Sequence, residues 1–179
     1  CGAEREVTID CPFDCRYLQE ARQHDYAGGI DPKNFSYKEI RIDEAFLRDH
    51  SELVDTCGRE LLAEALALSA ATDFDVSGAL DALVQTYKTL ESGIYYNTQP
   101  DSVFARRIVG QVQQAVQTFR EEETRQMGFA HTKDSDLLRI WVFFYRMALD
   151  RDNGRPKGKA FLDFLRQHFG QVLPTSQSS

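Results

Sequence analysis

The chain is poor in the residues that break regular structure. It has only five prolines and eleven glycines in 179 residues, which excludes a low-complexity or loop-dominated protein and favours long regular elements. Long apolar runs are also missing. The densest stretch, Ile140 to Tyr145, is far shorter than the roughly 20 residues a bilayer-spanning helix requires, so no membrane association is expected. A basic excess is absent as well. The net charge is −7 and the pI about 5.1, a balance that works against attraction to nucleic-acid phosphates. No secretory leader is expected, and the chemistry-bearing motifs are missing too. There is no P-loop, dinucleotide-binding glycine pattern, nucleophile elbow or His-Glu-x-x-His helix. No Glu is followed three residues later by His, so the di-iron signature of helical bundles is not present.

What the chain does have is a helical period. Apolar residues make up 42% of it, enough to bury a core in one domain. Asp43 is placed to cap a helix. Phe46, Leu47, His50, Leu53, Val54, Cys57, Leu61, Leu62, Ala65 and Leu68 then recur at three- and four-residue spacing. A second stripe runs through Val76, Leu80, Leu83, Tyr87, Leu90 and Ile94. A third runs from Phe104 through Ile108, Val112 and Val116 to Phe119, with Gly128 as its stop. Asp134 or Ser135 should cap the next helix. From Leu137 to Ala148 that helix is apolar almost all round, the mark of a buried central element. The last helix carries Phe161, Leu162, Phe164, Leu165 and Phe169. These patterns predict an all-α fold, an antiparallel helical bundle of about five helices over residues 43–170. Before it come a cysteine-containing segment with a first helix (1–24) and a connector (25–42), in which Glu39 to Ile42 alternates like a short strand. A tail, 171–179, follows.

The cysteines are unevenly placed. Three of the four, Cys1, Cys11 and Cys15, fall in the first fifteen residues. A core of this size needs no disulfide staples, so the cluster points to metal or thiol chemistry. Val7 and Ile9 suggest a short strand. Pro12 suits the first turn of a helix, where Cys11 and Cys15 stand one turn apart with their sulfurs on one side. A helix N-terminus favours thiolate, the form that binds zinc. Structural zinc takes four ligands in a tetrahedron. The fourth is expected from a cysteine preceding Cys1, since the chain does not open on Met, or from His24. Cys57, on the apolar stripe, reads as a core residue.

The Cys1-Gly2 pair resembles the half-knuckle of the zinc-ribbon and zinc-knuckle group. The opening Cys-Gly-x-x-Arg…Cys-Pro-x-Asp-Cys-x-Tyr-Leu, over residues 1–18, is similar to that of some uncharacterised bacterial proteins. The resemblance implies zinc in a structural role and implies no reaction. The expected function is therefore a non-enzymatic interaction or scaffold module, cytoplasmic, with a protein partner. Its metal ligands are Cys1, Cys11, Cys15 and His24. Two alternatives stand beside it. One is a redox enzyme using Cys11 and Cys15 as a thiol pair. The other is a small-molecule-binding bundle, with Arg139, Arg146 and Trp141 lining a pocket. A lipid anchor on Cys1 and an iron–sulfur cluster rank below these.

Overall fold

A computed structural model of the chain describes residues 37–152, 154–155 and 157–170. The expected strand at 6–9, the helix beginning near Cys11 and the tail lie outside the described residues. Six helices pack together: α1 (Glu44–Asp49), α2 (Ser51–Ala67), α3 (Asp73–Glu91), α4 (Val103–Met127), α5 (Asp134–Asp150) and α6 (Ala160–Phe169). Among the described residues there is no strand. The all-α bundle is thus what the periodicity predicts.

The helices start and stop on local chemistry. Asp43 accepts the Phe46 N–H at 2.8 Å and begins α1. The first apolar stripe does not form one helix, because the backbone breaks at His50, which ends α1 and begins α2. The imidazole Nδ1 sits 2.9 Å from the Phe46 carbonyl oxygen, a contact that requires Nδ1 to carry the proton. At the end of α4, Gly128 adopts φ 84°, the left-handed cap that glycine enters most easily. The start of α5 differs from expectation. Lys133 holds the N-cap position, and Asp136 in the first turn accepts the Lys133 N–H at 3.1 Å.

Leu53, Val54, Leu61, Val76, Leu80, Leu83, Ile108, Val112, Trp141 and Phe144 lie at the centre of one continuous core. Helix α5 is buried on nearly every side, as its composition predicts. Helix α3 packs against α5 and α4, and α2 packs against α4 and α6. The connection between α3 and α4 departs from a simple hairpin. Gly93, at φ 76°, ends the helical path, and Ile94, read from sequence as part of the α3 seam, lies beyond the helix and is exposed. Residues 92–102 then run back along α3. Thr89 Oγ1 donates to the Tyr96 carbonyl, the Thr98 N–H donates to Thr86 Oγ1, and Ser102 donates to Asp75. Eleven extended residues span about 36 Å, ample for the roughly 24 Å of helix between residues 75 and 91. Helix α4 therefore starts beside the start of α3, and the two run parallel.

Candidate functional site

The four sequence-predicted metal ligands, Cys1, Cys11, Cys15 and His24, lie outside the described residues. What the structure does show is how the chain just after them is fastened to the bundle. Residues 37–42, expected as the end of a connector with strand-like alternation, form a turn instead, closed by the Ile40 N–H on the Tyr37 carbonyl at 3.0 Å. Tyr37 takes a positive φ of 64°, a left-handed conformation that costs an L-residue about 1–2 kcal/mol. It is held there from both sides.

From α3, Asp81 accepts the Tyr37 hydroxyl at 3.1 Å, and Gln85 donates to the same oxygen. Lys88 lies 4.7 Å from the centre of the Tyr37 ring and 2.9 Å from Glu39. Burial, and after it the Asp81 carboxylate, pushes the Tyr37 phenol well above its ordinary range, so it stays a neutral donor. From α5, one terminal nitrogen of Arg146 donates to the carbonyls of Tyr37 at 2.7 Å and Ile40 at 2.9 Å. Arg139 donates from Nε to the Arg41 carbonyl at 2.9 Å, with its guanidinium 3.7 Å from the centre of the Phe46 ring. Tyr145 sits beside Tyr37. The exposed Lys88–Glu39 pair adds little, but charge-assisted bonds to half-buried carbonyls are stronger, about 1.5–3 kcal/mol each.

Arg139 and Arg146, grouped from sequence as lining a pocket, both lie on α5. Both donate to backbone carbonyls of the 37–42 turn. A carbonyl carries no side-chain identity, so no sequence signal could have named them. Trp141, grouped with them from sequence, is fully buried in the core against Tyr87. The arginines and the indole thus serve separate places.

Cys57 is buried, as its position in the stripe predicts. Burial, and secondarily the charge of Glu60, pushes its thiol far up, which removes the thiolate a nucleophile or metal ligand needs. Among the described residues, no group of three or more His, Cys, Asp or Glu side chains could hold a metal ion. No described helix is long and apolar enough to cross a membrane.

Another feature faces solvent. Ile94, Tyr95 and Tyr96 are 60%, 81% and 63% exposed, three consecutive large apolar side chains at the turn after α3. Their exposure excludes core closure. Met127 and Phe129, at the end of α4, are also exposed. No protein-family model matches the chain, and neither the curated proteins nor the solved structures give a match.

Proposed function

We propose that this protein is a helical interaction or scaffold module whose N-terminal segment carries a structural zinc site formed by Cys1, Cys11, Cys15 and His24. The observation that carries the interaction reading is the exposed run Ile94-Tyr95-Tyr96. Adjacent large apolar side chains left in water are characteristic of surfaces that meet a partner, and aromatic residues are enriched at such contacts. The scaffold reading draws support from the clamp. With residues 37–42 bonded to α3 and α5, anything built just before Tyr37 is attached to a defined face of the bundle. Zinc would fix the geometry of its own segment and add binding free energy to folding.

Metal analysis of the full-length chain tests the zinc site. One zinc per chain is expected, with a lower unfolding temperature after chelation. Substoichiometric zinc and unchanged thermal stability after chelation would remove the site. Thiol counting gives a second readout. With Cys57 buried, chelation should free three reactive thiols and denaturation a fourth. The interaction reading is tested with Tyr95→Ser and Tyr96→Ser. Side chains this exposed should cost less than about 0.5 kcal/mol of stability when replaced. A loss above about 1 kcal/mol would return them to the fold and leave the surface without its motivation.

A further inference from the structure

Large apolar side chains stand in solvent at both ends of α3. At its start Phe74 is 74% exposed, and Val103, the first residue of α4, is 69% exposed. The two helix starts are fastened together. Ser102 donates to Asp75, and a Cβ at Gly78 would stand 3.8 Å from that of Ala105. Phe74 and Val103 therefore share one end of the bundle, and cations edge them. Arg106 lies one turn beyond Val103 on the same side of α4. Lys157 and Lys159 flank Gly158, whose carbonyl accepts the Asp73 N–H at 3.0 Å. All three cations are exposed. Arg107 is offset by Glu64 at 3.5 Å, and the exposed Asp101 offsets one further charge, which leaves this edge positive. Beyond the other end of α3, roughly 26 Å along the helix, stand Ile94, Tyr95 and Tyr96. Thr89 holds them through its carbonyl, which accepts the Ile94 N–H, and its hydroxyl, which donates to the Tyr96 carbonyl. Lys88 nearby is paired with Glu39, so the exposed Glu91 and the carbonyl end of the helix make this edge negative.

We propose that the partner of the Ile94-Tyr95-Tyr96 surface is the end carrying Phe74 and Val103 on a second copy of this chain, an inference that rests on reading the tyrosines as a contact surface. Charge decides the pairing. Two Phe74 ends, or two tyrosine ends, would bring like charges together. One of each sets Arg106, Lys157 and Lys159 against Glu91. The two patches lie at opposite ends of one molecule, so the contact is head-to-tail and each added copy leaves an end open to the next. The facing apolar groups are few beside those of a stable interface of about 1,200–2,000 Å², so association is reversible.

Sedimentation equilibrium of the full-length protein tests this. The average mass should rise past that of a dimer with protein concentration and fall with added salt. Phe74→Ser, and Tyr95→Ser combined with Tyr96→Ser, should each weaken association by at least about tenfold. A mixture of these two variants should form dimers and nothing larger, because each keeps the end the other lacks. Glu91→Lys gives a second test that leaves the apolar residues intact. Alone it should associate weakly, and mixing it with Lys157→Glu/Lys159→Glu should restore association. A wild-type monomer at about 1 mM, where even a millimolar Kd would show, would overturn the proposal. So would a wild-type dimer that grows no further, or mixtures that stay monomeric. If the tyrosine variant is then as stable as the wild type, the contact surface stands with another partner; if it is destabilised, both readings go.

Discussion

Replacing Gly58 with alanine sets two effects of opposite sign against each other. Gly58 lies inside α2, where glycine is about 1 kcal/mol worse than alanine, so an isolated helix would gain from the change. In the bundle, α6 crosses at this residue. An added Cβ would stand 2.6 Å from two ring carbons of Phe169 and 2.7 Å from a third. Carbon atoms pack at about 3.5–4.0 Å, so the ring or the helix must retreat by roughly 1 Å. Phe169 has little room to do so, being buried with Phe144 5.8 Å behind it. Overpacking of this kind costs about 1–3 kcal/mol and outweighs the propensity gain. Gly58→Ala should therefore fail to stabilise the protein and should cost up to about 2 kcal/mol net, a fall of up to roughly 8 °C in unfolding temperature for a chain this size. Urea denaturation measures it. A double-mutant cycle with Phe169→Leu isolates the cause. In that background the alanine should become neutral or stabilising, with a coupling energy of about 1–3 kcal/mol. Stabilisation by Gly58→Ala in the wild-type background would refute the close approach of α6 to α2.

Other perturbations follow from single contacts. Asp73 sits at the start of α3, yet its carboxylate accepts the Phe161 and Leu162 N–H groups of α6, both at 3.0 Å; Asp73→Ala should cost about 1–2 kcal/mol and speed hydrogen exchange of those two amides. Arg146→Met removes two carbonyl bonds from the 37–42 turn; trypsin should then cut faster after Lys38 and Arg41, and unchanged cleavage would show that the clamp does not hold the turn. His168 is partly buried, and burial, followed by the nearby Arg151 charge, lowers its pKa. The folded state therefore binds its proton less readily than the unfolded chain. Stability from this group is intact above about pH 6.5, the unfolded value, and declines as pH falls below it. His168→Gln should flatten the wild-type decline below about pH 6.5, and an identical decline in both proteins would place its origin elsewhere.

The parts of this fold that were legible in the sequence are those that depend on period and local caps. The stripe through Leu53, Val54, Leu61 and Leu62 buries as written, and Gly128 and Asp43 punctuate as their chemistry requires. The misread parts depend on what a segment meets elsewhere. Ile94 continues a three- and four-residue spacing and so looks helical, but Gly93 turns the chain and the hydroxyls of Thr86 and Thr89 hold the returning backbone. Glu39 to Ile42 alternates like a strand, yet its carbonyls find guanidinium groups rather than a second strand. The break at His50 depends on backbone angles that the surrounding apolar stripe does not encode. Of the candidate site, the sequence pointed to Arg139 and Arg146 but not to their partners. Cys1, Cys11, Cys15 and His24 remain a proposal from sequence.

The capping carboxylates show why such a bundle should unfold as a unit. A helix end is usually satisfied by its own residues, and it can then fray independently. Here several ends are satisfied by another part of the chain. Asp73 of α3 closes the start of α6. Asp75 accepts from Thr72 at the start of α3 and from Ser102 at the start of α4. Glu123 of α4 accepts the N–H groups of His131 and Thr132 and the Thr132 hydroxyl, fixing the turn into α5. Fraying of α6 leaves the half-buried Asp73 carboxylate of α3 without those two N–H groups, and release of α4 takes the Ser102 hydroxyl from Asp75, which is itself buried and keeps only Thr72. Each local opening therefore carries a desolvation cost at a second helix, about 1–3 kcal/mol per unpaired group. That coupling predicts coincident urea transitions for far-ultraviolet circular dichroism and Trp141 fluorescence. If α6 and the starts of α3 and α4 opened separately, the circular dichroism signal would fall first, while the buried indole still reported a folded core.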